Sequence, residues 1–455
     1  MHPCHFRVDH SASVVSRPTV SVSLFAMRQL FLAFIFLAIS LSAPCHAQIP
    51  AKEGPRQKMN SYTLSPELYR KARNLNRFRF AYQITGLFYG LLVLWLILKT
   101  RLSARFRDWA ESRTGNRFLQ ALIFTALLAL TIGLLDLPLE AVNHWVMRLY
   151  RISVQPWGSW LGDWVKVQAL LILFGGTLTW ILYTVIRRSP CRWWFHFWLI
   201  SIPIFLVVFF AEPYVIDPLF FEYQPLASKA PELVTQLERV VQHAGQQIPP
   251  ERMFWMKASE KTNVTNAYVT GIGASKRVVI WDTTLQQETP DEVTSDFGHE
   301  LGHYVLHHVW KGLAFGALLT LLLLYAGYRT IGSLLARYGQ GWGIRGLDDL
   351  ASLPALLLVI SIFGFVGSVA SNTFSRYVEH QADLYGQEVV HGIVPDAGQA
   401  AARSFQKAGE LYLADPAPDP LYVFLFYDHP PISDRVRFFV NYDPWSAGQA
   451  RQFVQ

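Results

Sequence analysis

The chain is poor in charged residues and in cysteine. Asp, Glu, Lys and Arg make up only 16% of its 455 residues, whereas an ordinary soluble domain averages about 25%. Hydrophobic residues reach 51%, so an ordinary soluble protein is excluded and an integral membrane protein with a soluble portion is expected. The three cysteines are too few and too scattered for a disulfide framework or a cysteine zinc site.

The net positive charge of the chain does not indicate a strongly negative partner such as nucleic acid. The net charge of +7 fits Lys and Arg residues beside membrane spans. The sequence has no array of basic and aromatic residues typical of nucleic-acid binding. The lipid bilayer is therefore an expected partner, and nucleic acid is not.

Residues 27–47 have two interpretations. Met27 and Arg28 precede an apolar run from Leu30 to Leu41 and then small residues up to Ala47. This order is typical of a cleaved signal peptide, and an uncleaved first membrane helix is the alternative. Residues 1–26 are polar, which favours a start of translation after them. The segment 1–47 is therefore expected to be a signal peptide or first membrane helix with extra N-terminal residues.

Six further apolar segments are each about 20 residues long, enough for a helix to cross about 30 Å of hydrocarbon. They lie near residues 81–99, 118–140, 165–186, 193–214, 312–335 and 351–373. Charges return between the fourth and fifth segments, together with short β-like runs at Met253–Met256, Ala267–Gly271 and Arg277–Trp281. This pattern predicts a multi-pass, mainly α transmembrane protein with a small α+β portion.

The α+β portion ends in the motif His299-Glu-Leu-Gly-His303. Residues four apart on a helix share one face, so His299 and His303 can hold one metal ion, and Glu300 can reach a water molecule beside it. Two imidazoles, an open coordination position and a carboxylate base form the core of a zinc peptidase. The motif therefore predicts one Zn²⁺ per chain and a peptide or membrane-protein substrate.

The third metal ligand must come from elsewhere in the chain. His307 is eight residues from His299, or about 12 Å along a helix, too far to share one ion. His307 and His308 are expected at the membrane surface or beside the ligands. Glu379, on a helix predicted after the membrane hairpin, is expected to complete a His₂Glu site, as catalytic zinc centres often have. Asp383, one turn later, is expected to accept the free ring N–H of a ligand histidine. The alternative is an ordinary amphipathic helix with solvated carboxylates.

These predictions divide the chain into five parts. Residues 1–47 precede an N-terminal membrane domain at 48–214. The protease core occupies 215–311, a transmembrane hairpin 312–374, and the third-ligand helix with the rest of the core 375–455. The expected fold is thus a mainly α, multi-pass transmembrane helical protein with a small α+β zinc-metalloprotease portion.

Several sequence blocks, in the same order, resemble the type I CAAX prenyl protease family of membrane zinc endopeptidases. More distantly they resemble the HtpX-type proteases. The likeness runs from about residue 60 to 440. The blocks are Ile216-Asp-Pro-Leu-Phe, Thr265-Asn-Ala-Tyr-Val-Thr-Gly271, Lys276-Arg-Val-Val-Ile-Trp-Asp-Thr-Thr-Leu285, the His299–His303 motif, Ser375-Arg-x-x-Glu379-x-x-Ala-Asp383 and His429-Pro-Pro-Ile-Ser-Asp-Arg435.

The resemblance implies roles for further residues. His299, His303 and Glu379 match the family's zinc ligands and Glu300 its acid/base. Asn266, Ala267 and Tyr268 match the family's substrate-pairing strand, and Asn266 and His429 match groups that hold the scissile carbonyl and its oxyanion. Arg435 has two interpretations, a partner of a carboxylate near the zinc or a cap of the last helix.

The sequence departs from the eukaryotic members in two places. The run before Asn266 is Ser259-Glu-Lys-Thr-Asn-Val-Thr265, and the link from Leu285 to His299 is short. Both leave the zinc residues intact but put prenylated substrates in doubt. They favour a bacterial inner-membrane protein, either a CAAX-type or a quality-control protease. A non-catalytic zinc-binding membrane scaffold or chaperone is the alternative.

Overall fold

A computed structural model describes residues 58–271 and 276–454, so the segment 27–47 lies outside the described residues. The helices of eight or more residues are α1 (Pro66–Lys99), α2 (Leu102–Arg113), α3 (Arg117–Leu149), α4 (Trp157–Arg188), α5 (Trp193–Val215), α6 (Pro231–His243), α8 (Pro290–Val305), α9 (His308–Trp342), α10 (Leu353–Val390), α11 (Ala397–Tyr412) and α13 (Ile432–Asn441). Two shorter helices are α7 (Asp282–Gln287) and α12 (Pro420–Phe426).

Six of these helices are long and apolar enough to cross a membrane, which confirms the predicted multi-pass fold. They are α1, α3, α4, α5, α9 and the helix ending at Val390. Each contains one predicted apolar segment. Two of them, α1 and α10, extend well beyond it, because a helix continues past the bilayer wherever its backbone bonds and packing are satisfied.

A four-stranded sheet lies between the fourth and fifth spans. Its strands are β1 (Tyr223–Pro225), β2 (Met253–Met256), β3 (Ala267–Thr270) and β4 (Arg277–Trp281), in the spatial order β1-β2-β4-β3. The three predicted β-like runs are confirmed. Strand β1 is not predicted from the sequence, because its three residues are too few to show a period. Strand β3 lies at an edge of the described sheet and pairs antiparallel with β4.

The residues that the structure describes form four apolar clusters, and the two largest join the membrane helices and the α+β portion. The membrane core joins the ends of α1, α3, α4, α9 and α10 around residues such as Phe124 and Tyr183. The second core packs α6, α8, the sheet and the last turns of α10 around Leu237, Phe297 and Leu301. Helix α10 belongs to both cores and so connects the membrane region to the α+β portion.

The helix that carries the motif is defined at its start by a capping box. Thr289 accepts a hydrogen bond from the Glu292 backbone N–H, and the Glu292 carboxylate accepts one from the Thr289 backbone N–H. Pro290 occupies the first turn, where no amide donor is needed. These local signals fix the first residue of α8 two and a half turns before His299.

Candidate metal centre

His299 and His303 project from one face of α8 toward the same point. Their Nε2 atoms lie 3.1 Å apart. Glu379, on α10, meets both rings, with Oε2 3.3 Å from His299 Nε2 and Oε1 3.3 Å from His303 Nε2. One donor atom from each residue lies within 4.8 Å of the others.

The chemistry of this group fits a metal ion. Glu379 is only 5% exposed, and its Oε2 accepts no hydrogen bond from any residue that the structure describes. A buried carboxylate oxygen without a hydrogen bond is costly. Oε2 faces His299 Nε2 at 3.3 Å and Arg435 Nη1 at 3.7 Å, and a cation shared with the two histidine nitrogens would bind it directly. Two imidazoles and a carboxylate form the donor set of many catalytic zinc sites.

His299 is held from its other ring nitrogen. Its Nδ1 lies 2.9 Å from Asp383 Oδ1, and Asp383 in turn accepts hydrogen bonds from the buried guanidinium of Arg435, one of them 2.9 Å from Nε to Oδ2. Burial opposes charge on His299, but the adjacent carboxylates of Asp383 and Glu379 outweigh it and raise its pKa to about 10. Arg435 thus pairs with a carboxylate beside the centre.

His303 has a different partner. Its Nδ1 lies 3.2 Å from Nδ1 of His308, whose Nε2 lies 3.2 Å from Gln381 Oε1. His308 is 4% exposed, whereas its neighbour His307 is exposed and has a left-handed backbone with φ of 58°. His308 therefore contacts the centre and His307 does not.

Glu300 and His429 complete the polar surroundings. Glu300 Oε1 lies 4.0 Å from His299 Nε2, and burial raises the pKa of this carboxyl above its usual value against the opposing charges of His299 and His303. His429 Nε2 lies 3.4 Å from Glu379 Oε1, and its Nδ1 lies 2.9 Å from Asp428 Oδ1. Removal from water opposes charge on His429, but Glu379 and Asp428 outweigh it and raise its pKa to about 9.

The residues expected to form the substrate strand lie beside α8 but are not hydrogen-bonded to the metal-centre residues described above. Asn266 is fixed through its backbone: its N–H donates to Thr284 Oγ1 at 2.7 Å, and its carbonyl accepts from Trp281 N–H at 2.9 Å. Its side-chain Nδ2 is buried and donates no hydrogen bond to a described residue. Ala267 and Tyr268 lie in β3 opposite Ile280 and Val279.

Two residues of the site were missed by sequence reasoning. Asp428 could have been found, because a carboxylate next to His429 in a turn is placed to accept from its ring. Gln381 carries no comparable signal, because a single glutamine on an amphipathic helix usually faces solvent.

The arrangement defines a class of protein: a multi-pass membrane protein in which two histidines and a glutamate could hold a metal ion. The family model described as peptidase family M48 matches residues 227–442. A second model, described as CAAX prenyl protease N-terminal, five membrane helices, matches residues 49–222. The chain belongs to peptidase family M48 and is a membrane metalloprotease.

Relatives support the same assignment. The uncharacterized metalloprotease YhfN of Bacillus subtilis is 36% identical over 76% of this chain and 79% of its own. CAAX prenyl protease 1 of Saccharomyces cerevisiae is 26% identical over 84% of this chain and 89% of its own. The crystal structure of S. mikatae Ste24p has the same fold, with a TM-score of 0.72, 21% identity and coverage of 92% of this chain and 97% of that chain.

Proposed function

We propose that the protein is a zinc-dependent metalloendopeptidase that holds one Zn²⁺ between His299, His303 and Glu379. The observation that carries the proposal is the convergence of these three side chains within 4.8 Å, with Glu300 beside them. When bound, the zinc supplies Lewis acidity, which acidifies water and polarises the scissile carbonyl. In this proposal residues 48–214 and 312–374 anchor a protease core formed by 215–311 and 375–455.

Glu300 serves as the proton carrier of the reaction. It takes a proton from the attacking water and delivers it to the leaving amine. Its side chain is 24% exposed, so it is largely shielded from solvent but can reach a water molecule. Burial raises its pKa, and a carboxylate of raised pKa is a stronger base than an exposed one.

Asn266 and His429 hold the oxygen of the scissile carbonyl. Asn266 offers a buried Nδ2 donor that no described residue uses. His429 carries two N–H groups when protonated. Its Nδ1–H faces Asp428, and its Nε2–H, which lies 3.4 Å from Glu379 Oε1, points toward the proposed metal and is the donor for the oxyanion. Hydrogen-bond donors aimed at a developing oxyanion lower a barrier by roughly 3–4 kcal/mol each.

The substrate lies extended along β3. Within the described sheet this strand pairs only with β4, which leaves the backbone groups of its other edge available for an added strand. Asn266, Ala267 and Tyr268 would then run beside the cleaved peptide. Peptides and membrane proteins are the substrate class, either as in CAAX-type processing or in quality control, and the bacterial inner membrane is the location.

The test is cleavage of a panel of unstructured peptides by the purified protein in detergent, with zinc content measured in parallel. Glu300→Gln should retain about one zinc per chain and lose cleavage, because the base is removed and the ligands remain. Glu251→Gln, an exposed acid of the same soluble portion, should cleave like the wild type.

The alternative is a non-catalytic zinc-binding scaffold or chaperone. Stoichiometric zinc without cleavage of any peptide, including a prenylated one, would favour that alternative. Cleavage that persists in Glu300→Gln would contradict the role given to Glu300. Fractionation that finds the protein outside the inner membrane would contradict the proposed location.

A further inference from the structure

The two ligand histidines are supported in different ways. His299 has a carboxylate partner, Asp383, which Arg435 neutralises. His303 is instead supported by a chain of hydrogen bonds between side chains that carry no carboxylate. Its Nδ1 lies 3.2 Å from His308 Nδ1, and His308 Nε2 lies 3.2 Å from Gln381 Oε1. Gln381 Nε2 lies 3.1 Å from Tyr377 Oη.

The backbone between α8 and α9 makes this contact. Helix α8 ends at Val305, and α9 begins at His308. His307 between them has a left-handed conformation, with φ of 58° and ψ of 31°, which a non-glycine residue adopts at an energetic cost. The turn places His308 in the first position of α9, buried against the side of His303 that faces away from Glu379.

The groups at the two ends of this chain, His303 and Gln381, determine which atoms of His308 donate and which accept. His303 directs Nε2 at Glu379 and His299, so a ring that binds metal through Nε2 carries its proton on Nδ1. That N–H must donate to His308, whose Nδ1 is then the acceptor and whose Nε2 carries the proton. His308 Nε2–H donates to Gln381 Oε1, and Gln381 Nε2–H donates to Tyr377.

We propose that His308 is a positioning residue that fixes the tautomer and ring orientation of His303 and, because it is neutral, does so without adding charge beside the metal. This inference rests on the proposed zinc site and adds a residue to it. Partners of ligand histidines typically contribute about 10- to 100-fold to metal affinity. A histidine that merely filled the core would be replaceable by another ring of similar size.

The experiment compares zinc affinity in purified full-length variants by competition with a chromophoric chelator. His308→Phe keeps a buried ring but removes the acceptor, and it should weaken zinc binding about 10- to 100-fold. His308→Asn restores an acceptor oxygen near the position of Nδ1 and should recover most of the affinity. His307→Asn, a substitution that tolerates the left-handed backbone, is the matched control and should bind zinc like the wild type.

A second measurement separates positioning from folding. Gln381→Leu leaves His308 in place but removes the acceptor of its Nε2–H, and it should change the visible absorption spectrum of the cobalt-substituted protein and lower zinc affinity by a smaller factor. Zinc affinity within twofold of wild type in both His308→Phe and Gln381→Leu would overturn the inference. Absence of zinc binding in the wild type would instead contradict the proposed function, so the two failures are distinguishable.

Discussion

At the scale of single residues, Glu379 occupies a position that is costly for a carboxylate. Its carboxylate is almost fully buried, faces two imidazole nitrogens and keeps one oxygen without a hydrogen bond from any described residue. A side chain in such surroundings is costly unless a cation completes them. The zinc ion of the proposed function would supply that cation.

Replacing Glu379 tests the ligand set directly. Glu379→Ala should lose stoichiometric zinc, because two histidines alone leave the ion with too few protein ligands for a catalytic site. Zinc content after dialysis and the chelator titration measure the loss. Tight zinc retained in this variant would contradict the assignment of Glu379.

Arg435 illustrates how burial decides the effect of an ion pair. Its side chain is 7% exposed and pairs with Asp383, 1% exposed, while its guanidinium also lies 4.1 Å from the centre of the Phe405 ring. Arg437, two residues later on α13, is 70% exposed and pairs with Asp434. Removing one member of a buried pair leaves an uncompensated charge, whereas exposed pairs contribute little.

Arg435→Leu should therefore lower the free energy of unfolding by about 3–5 kcal/mol. Arg437→Leu should change it by less than about 1 kcal/mol. Denaturant or thermal unfolding of both variants in the same detergent gives the comparison. Equal stability of the two variants would show that the Arg435–Asp383 pair is not needed for the fold.

At the scale of elements, the site depends on how closely α8 and α10 approach. A Cβ atom added at Gly386 would lie 2.8 Å from the His299 backbone nitrogen, and one at Gly302 would lie 3.2 Å from Ala382 Cα. Backbone atoms cannot rotate away as a side chain can. Small residues at this crossing therefore bring the His299 and Glu379 helices into ligand distance.

Gly386→Ala should separate α8 from α10 and weaken both zinc binding and cleavage. A displacement of about 1 Å at a reacting centre can lower the rate about 100-fold. Gly327→Ala is the control, because a Cβ there would meet its nearest neighbour, Ile360, at an ordinary 3.9 Å. Wild-type cleavage by Gly386→Ala would contradict this account of the crossing.

At the scale of the whole molecule, the residues just before α1 are hydrogen-bonded to α11 and to the residues that follow it. Tyr62 is 5% exposed, and its hydroxyl donates to the carbonyl of Ala414 at 2.9 Å. Met59 exchanges two hydrogen bonds with the side chain of Gln399, 340 residues away. These contacts hold α11 and its neighbours against the rest of the protein.

Tyr62→Ala should destabilise the protein by about 3–5 kcal/mol, the cost of removing a large buried aromatic side chain. Tyr69→Ala, at a position that is 38% exposed on α1, should cost much less. Thermal unfolding in detergent measures both. A small effect of Tyr62→Ala would show that the N-terminal segment is not part of the stable core.

The sequence by itself determined the features that depend on local spacing. Helix geometry puts His299, Glu300 and His303 on adjacent positions, and apolar length identifies six spans, because both follow from residues close in the chain. The four-residue spacing of Glu379 and Asp383 on a predicted helix, with the need for a third ligand, added those two residues. The matching of family blocks carried the expectation further, to Asn266 and His429. Only the tertiary structure decided the partner of Arg435 and the contact of His308 with His303. The first depends on the packing of α13 against α10, since Arg435 and Asp383 lie 52 positions apart, and packing between such distant segments leaves no period in the sequence to detect. The second depends on the left-handed turn at His307, which no glycine marks in the sequence.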